Sequence, residues 1–135
     1  MESPPDVRFH EDLHLIVWRP RGLLDEAAVN RVLVDLHRRE AAAAKPFNRF
    51  SDLSLAESFH LTFRYVFHVA LHRRLSYAGR GLIKSAFYVT HPQAAHIIRI
   101  HALMTDQSPL QVEMFEEREA AAKWLGVPVE SLTVP

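Results

Sequence analysis

The sequence contains no cysteine. Disulfides, thiolate zinc sites, iron–sulfur clusters and cysteine nucleophiles are thereby excluded together. Glycine is scarce, with four in 135 residues. The pair Gly79 and Gly81 follows a helical segment rather than a strand, so it does not make a phosphate-cradling loop. An excess of charge is missing as well: Lys plus Arg number 16 and Asp plus Glu number 16, a formal net charge of zero. Proteins that grip nucleic acid or anionic membranes usually carry a basic excess, so no nucleic-acid partner is expected. No apolar run approaches the roughly 18 residues of a transmembrane helix. The acidic, Pro-rich start at residues 1–6 has no apolar core suited to a signal peptide. The expectation is a cytoplasmic protein without a membrane span.

What is present is ordinary globular composition, 48% hydrophobic and 24% charged, at a length suited to one domain with a real core. We expect a flexible leader at 1–6, a single domain at 7–128 and a C-terminal tail at 129–135. Val7–His10 and Leu13–Trp18 are β-forming runs separated by Glu11-Asp12, which reads as a hairpin. Leu82–Val89 is apolar on both faces, like an interior strand. Leu110, Val112 and Met114 alternate with Gln111 and Glu113, the pattern of a half-covered strand. The segment 47–53, bracketed by helices, completes a set of strands near 7–10, 13–19, 47–53, 82–90 and 110–115.

Helices fill the intervals. Val29, Val32, Leu33 and Leu36 form one stripe behind Asp25, a plausible N-cap, and Pro46 should end that helix. Ser54-Leu55-Ala56-Glu57 has the form of a capping box, predicting a long helix from there to Leu75. On it Phe59, Phe63, Val66, Phe67, Ala70 and Leu71 would face inward, with His60, Arg64, His68 and His72 opposite. Pro92 opens a third helix, which continues through Ala94–Met104. Glu116–Leu125 is a fourth, with Ala120, Ala121 and Trp124 inward and Gly126 as its left-handed cap. Phe63, Phe67, Phe87 and Trp124 are the expected core aromatics. The order β-β-α-β-α-β-α-β-α predicts an α/β fold, a four- or five-stranded mixed sheet flanked by helices.

Two stretches carry a family resemblance. Phe50-Ser51-Asp52-Leu53-Ser54 is similar to the strand end that precedes the regulatory helix of the STAS superfamily of anti-sigma-factor antagonists. Phe115 through Gly126, a Phe followed by an acidic turn and then Ala and Trp-Leu, resembles the closing strand-to-helix phrase of its SpoIIAA-like branch. The resemblance spans roughly residues 7–127. It implies the SpoIIAA-like fold and a regulatory role through protein contacts. In that family a serine in an Asp-Ser-Ser-Gly sequence at the helix start is phosphorylated. Here Glu57-Ser58 precedes Phe59, so Ser58, or Ser54 nearby, is the corresponding candidate.

No catalytic constellation emerges. His68 and His72 could share a helical face at a spacing that metals use, but the Glu of a zincin motif is absent and no third ligand can be assigned. A solvated face accounts for them better. Ser85 lies mid-strand and no Gly-x-Ser-x-Gly elbow exists. Glu116-Glu117 suits a helix start. We therefore expect no metal, no cofactor and no enzyme activity. The expected function is a binding or regulatory module meeting a protein partner or a second copy of itself through His60, Arg64, His68 and His72. The alternative is a small-molecule or lipid-binding domain, because the SpoIIAA-like branch is similar in shape to CRAL-TRIO domains.

Overall fold

Residues 6–43, 45–76, 82–105 and 110–133 are described by the structure, a computed structural model. Of the loop expected from the sequence at 76–81, residues 77–81 lie outside that set, as do the expected turn at 106–109 and the Phe63 side chain; Ser76 ends a helix. The elements in chain order are β1 (Val7–His10), β2 (Leu15–Trp18), β3 (Gly22–Asp25), α1 (Glu26–Ala43), β4 (Asn48–Asp52), β5 (Ala56–His60) and α2 (Phe63–Ser76). There follow β6 (Ile83–Tyr88), α3 (Pro92–Met104), β7 (Leu110–Phe115), α4 (Arg118–Leu125) and a 3-10 turn at Val129–Leu132. Five strands form a mixed sheet in the order β1-β2-β4-β6-β7. β1 is antiparallel to β2, and every later pairing is parallel.

Parallel strands that advance in one direction need crossovers of one hand, and right-handed crossovers place their helices on one face. Accordingly Ile16 and Trp18 of β2 pack with Val32 and Leu36 of α1 and Ala94 and Ile98 of α3. The alternate residues Leu15 and Val17 point the other way. There they meet Phe50, Ala86, and Ala121, Ala122 and Leu125 of α4. A strand buried on both sides must be apolar on both, and β2 is. Leu132 of the 3-10 turn joins this second layer, 1% exposed, so the segment expected to trail from 129 packs on the domain. Asp6, expected in the leader, accepts hydrogen bonds from Trp18 Nε1 at 3.2 Å and the Arg19 N–H at 2.9 Å.

Local signals mostly act as expected. The Asp25 carboxylate accepts from the Ala28 N–H at 2.9 Å and caps α1. His91 caps α3 ahead of Pro92. Gly126 takes the left-handed conformation, φ 74°, and its N–H donates to Ala122 O at 2.8 Å. Inside α4 the buried set is Ala121, Ala122 and Leu125. Ala120 is exposed, and Trp124 is half-buried against Phe115 and Lys84.

The region 54–62 departs from expectation. Instead of opening a helix, Ala56–His60 is a strand, β5, pairing in parallel with β3 as a separate two-stranded ribbon. Helix α2 begins at Phe63, where the Thr62 hydroxyl accepts from the Tyr65 N–H at 3.1 Å. The apolar residues of α2 are spread around the helix, so the expected stripe does not coincide with its inner face. Val66 and Ala70 are buried, whereas Phe67 is 45% and Leu71 43% exposed. The core assignment of Phe67 is therefore corrected, and Phe87 is half-buried rather than buried.

One carboxylate holds the end of β4. Asp52, 1% exposed, accepts from the Ser54 N–H at 3.0 Å and the Ser54 hydroxyl at 2.6 Å. Its other oxygen accepts from Arg118 Nη2 at 2.9 Å, with Arg19 Nε 3.7 Å away. The guanidinium of Arg118 also lies 4.9 Å from the centre of the Tyr88 ring. Its hydrogen bond to Asp52 raises its pKa above an already high ordinary value, against a smaller opposing effect of burial. A raised folded-state value gives stability that is present below the unfolded value and lost only in strong alkali. Arg118 therefore adds no pH dependence near neutrality.

Three variants check this account by chemical denaturation. Phe50→Ala should cost about 3–5 kcal/mol, because its ring is fully enclosed between β2, β6 and α4. Phe67→Ala should cost less than about 1 kcal/mol, as for surface substitutions; a larger loss would return that ring to the core. Asp52→Ala should destabilise by roughly 3 kcal/mol, since Arg118 and the Ser54 turn lose a buried charged partner. A loss below about 1 kcal/mol would show that the cluster does not hold β4 to α4.

Candidate functional site: an amphipathic cavity

Between the sheet and helices α1, α2 and α3 lies a cavity of about 120 Å³. Its floor is the face of the sheet carrying Ile16, Trp18, Arg49, Ser51, Ser85 and Phe87. This face follows from strand alternation: Phe50 and Ala86 point toward α4, so their neighbours in sequence point into the cavity. The roof is aliphatic, with Val32 and Leu36 from α1, Val66 and Val69 from α2, and Ile98 from α3. Leu24 and Phe59, which oppose each other across the β3–β5 ribbon, close one end.

The helices above the cavity are tied together at their starts. The Tyr65 hydroxyl donates to Asn30 Oδ1 at 2.6 Å and lies 3.3 Å from Glu26 O. Farther along, the rings of His37 and His72 approach with centroids 5.2 Å apart. Tyr65, Val69, Val29 and Leu33 line the cavity and are themselves only half-buried.

Polarity is confined to the floor and one corner. Arg49 sits on β4 opposite Ser85 on β6, and Ser51 follows two residues along the same face. His101 reaches in from the last turn of α3, its ring edge-on to Phe87 at 6.3 Å. All four are buried. Arg49 Nη2 donates to Glu40 Oε2 at 3.1 Å, and the same oxygen accepts from the Phe47 N–H at 2.7 Å. Neither the Ser51 nor the Ser85 hydroxyl makes a hydrogen bond to a described residue. Such an arrangement can bind a small apolar body and engage one polar group. Among the described residues it shows no nucleophile hydrogen-bonded to a base.

The residues singled out from sequence lie elsewhere. Ser54 is not a helix cap; its hydroxyl is spent on Asp52 in a turn after β4. Ser58 is exposed on β5. Neither stands at a helix N-terminus, so a phosphate on either would not meet the free N–H groups of a first turn. Arg64, His68 and His72 are exposed on α2 as expected, but His60 is on β5 and does not share their helix. Among the described residues no group of three His, Asp or Glu side chains could hold a metal ion. No described helix is long and apolar enough to cross a membrane.

The cavity's polar residues escaped the sequence reading, although a signal existed. Arg49 and Ser51 are polar at alternate positions of a strand whose neighbours on both sides are apolar strands. In an interior strand that pattern marks a buried polar face.

No protein-family model matches this chain, and no curated protein matches it. A solved structure does match: an uncharacterized protein of the DUF3478 family with a SpoIIAA-like fold, from Shewanella loihica PV-4. The two superimpose with a TM-score of 0.58 at 15% sequence identity, over 88% of this chain and 90% of that one. At that identity the likeness concerns architecture alone: this chain has a SpoIIAA-like fold.

Proposed function

We propose that this chain is a non-catalytic binding domain whose ligand is a small apolar molecule held between the sheet and helices α1–α3. The observation that carries the reading is the cavity of about 120 Å³, aliphatic above and polar at one corner. Binding sites for small molecules are commonly concave, mostly apolar and marked by a few convergent polar groups. An apolar cavity of about 150 Å³ holds benzene, so at about 120 Å³ a single ring is the upper scale here. Two-dimensional amide NMR with benzene and pentan-1-ol as probes tests the reading. Saturable shifts are expected around Ile16, Val32, Phe59 and Ile98, and little change around Val17 and Leu125 on the other side of the sheet. Shifts that do not saturate, or that spread over both faces, would overturn it.

A second reading, a module that meets a protein partner or a second copy, is favoured by the outer side of α2. There Phe67 and Leu71 are 45% and 43% exposed beside Arg64, His68 and His72. Apolar groups set in a polar surround are a feature of contact surfaces. Sedimentation at micromolar concentration should then show self-association that a Phe67→Ser, Leu71→Ser variant abolishes. A single 15.5 kDa species in the wild type would remove the homodimer.

A further inference from the structure

We infer that the cavity selects a small neutral amphiphile, an alcohol or ketone of about six non-hydrogen atoms or fewer, over the corresponding carboxylate. The inference rests on the cavity being a binding site and adds the chemistry of what enters it. Its starting point is the charge balance of the wall. Arg49 would ordinarily invite an anion, since a guanidinium matches a carboxylate geometrically. Here that role is taken within the protein. Glu40 and Arg49 are 5% and 6% exposed in their side chains and 3.1 Å apart, so their charges cancel. An ionised ligand would enter with no net counter-charge and would lose its hydration.

The hydroxyls provide the other half of the argument. Ser51 is 8% exposed and Ser85 5%, both on the cavity floor and neither hydrogen-bonded to a described residue. Neither hydroxyl oxygen is among the fully enclosed side-chain atoms that lack a partner, so both keep access to the cavity they line. A serine hydroxyl is donor and acceptor at once, so the pair can satisfy a ligand hydroxyl or carbonyl without a change in charge. Ser85 lies beside Arg49 across the β4–β6 pairing, and Ser51 lies beside Phe87 in the same register. A polar head over the two serines would leave its apolar body against Val32, Leu36, Val66 and Ile98.

Calorimetric or NMR titration of the full chain at neutral pH with the size-matched probes benzene, pentan-1-ol and sodium butyrate provides the test, in wild type and in a Ser51→Ala, Ser85→Ala variant. The alcohol should bind the wild type at least ten-fold more tightly than butyrate. The double variant should bind the alcohol about five-fold more weakly, the worth of a net neutral hydrogen bond, and benzene at least as tightly as before. Retained benzene binding also shows that the variant is folded with its cavity intact. Butyrate binding as tight as that of the alcohol, or equal losses for alcohol and benzene, would overturn the proposed selectivity while leaving the cavity as a binding site. Absence of binding by all three probes in the wild type would overturn both.

Discussion

Glu40 and Arg49 meet in the interior at 3.1 Å, both almost wholly removed from water. Two buried charges are expensive unless each is well paired, so this contact constrains everything around it. It fixes the last turns of α1 against β4, the central strand of the sheet. Because the same Glu40 oxygen accepts the Phe47 N–H, it also sets where the chain turns from helix into strand. Asn48 then carries this placement outward: its N–H donates to His14 O at 2.9 Å, and its side chain accepts from the Lys84 N–H at 2.9 Å. The starts of β2, β4 and β6 are thus aligned from one junction.

Alignment of the strand starts determines what lies above them. Three successive crossovers of the same hand place α1, α2 and α3 on one face and leave α4 to cover the other. Small residues let α4 lie close to the sheet, with Ala121 and Ala122 meeting Phe50 and Ala86 in a well-filled layer. The three-helix side is built differently. Its helices bring branched aliphatic side chains over a floor interrupted by Arg49, Ser51 and Ser85. Serine is small, and polar groups do not interdigitate with aliphatic ones as hydrocarbons do with each other. A space remains there.

The two ends of the sheet also serve different purposes. At the carboxyl ends of parallel strands, where α/β proteins often bind ligands, Asp52 is fully engaged by Ser54 and Arg118 and acts as a structural clasp. The polar corner of the cavity instead lies toward the strand starts, near Arg49, Ser85 and His101. Binding chemistry in this chain is therefore displaced from the strand ends into the interlayer space. The family resemblance pointed to serines beyond β4, which lie outside that space.

Much of the architecture was legible in the residues themselves. Strand β6 and helix α1 announce themselves by hydrophobic pattern, and Asp25, Pro92 and Gly126 mark helix boundaries through local backbone chemistry that needs no distant partner. The order of strands and helices, read with the handedness rule, was enough for the mixed sheet. Tertiary structure decided the remainder. Ala56–His60 reads as helix in isolation and becomes a strand because β3 offers it a backbone to pair with. The apolar residues of 63–76 are spread around the helix, so only the neighbouring α1 and α3 could determine that Val66 and Ala70 turn inward and Phe67 outward. The cavity is the extreme case. Its four polar residues come from β4, β6 and α3, from Arg49 to His101, and no local pattern can reveal a space defined by which side chains fail to fill it.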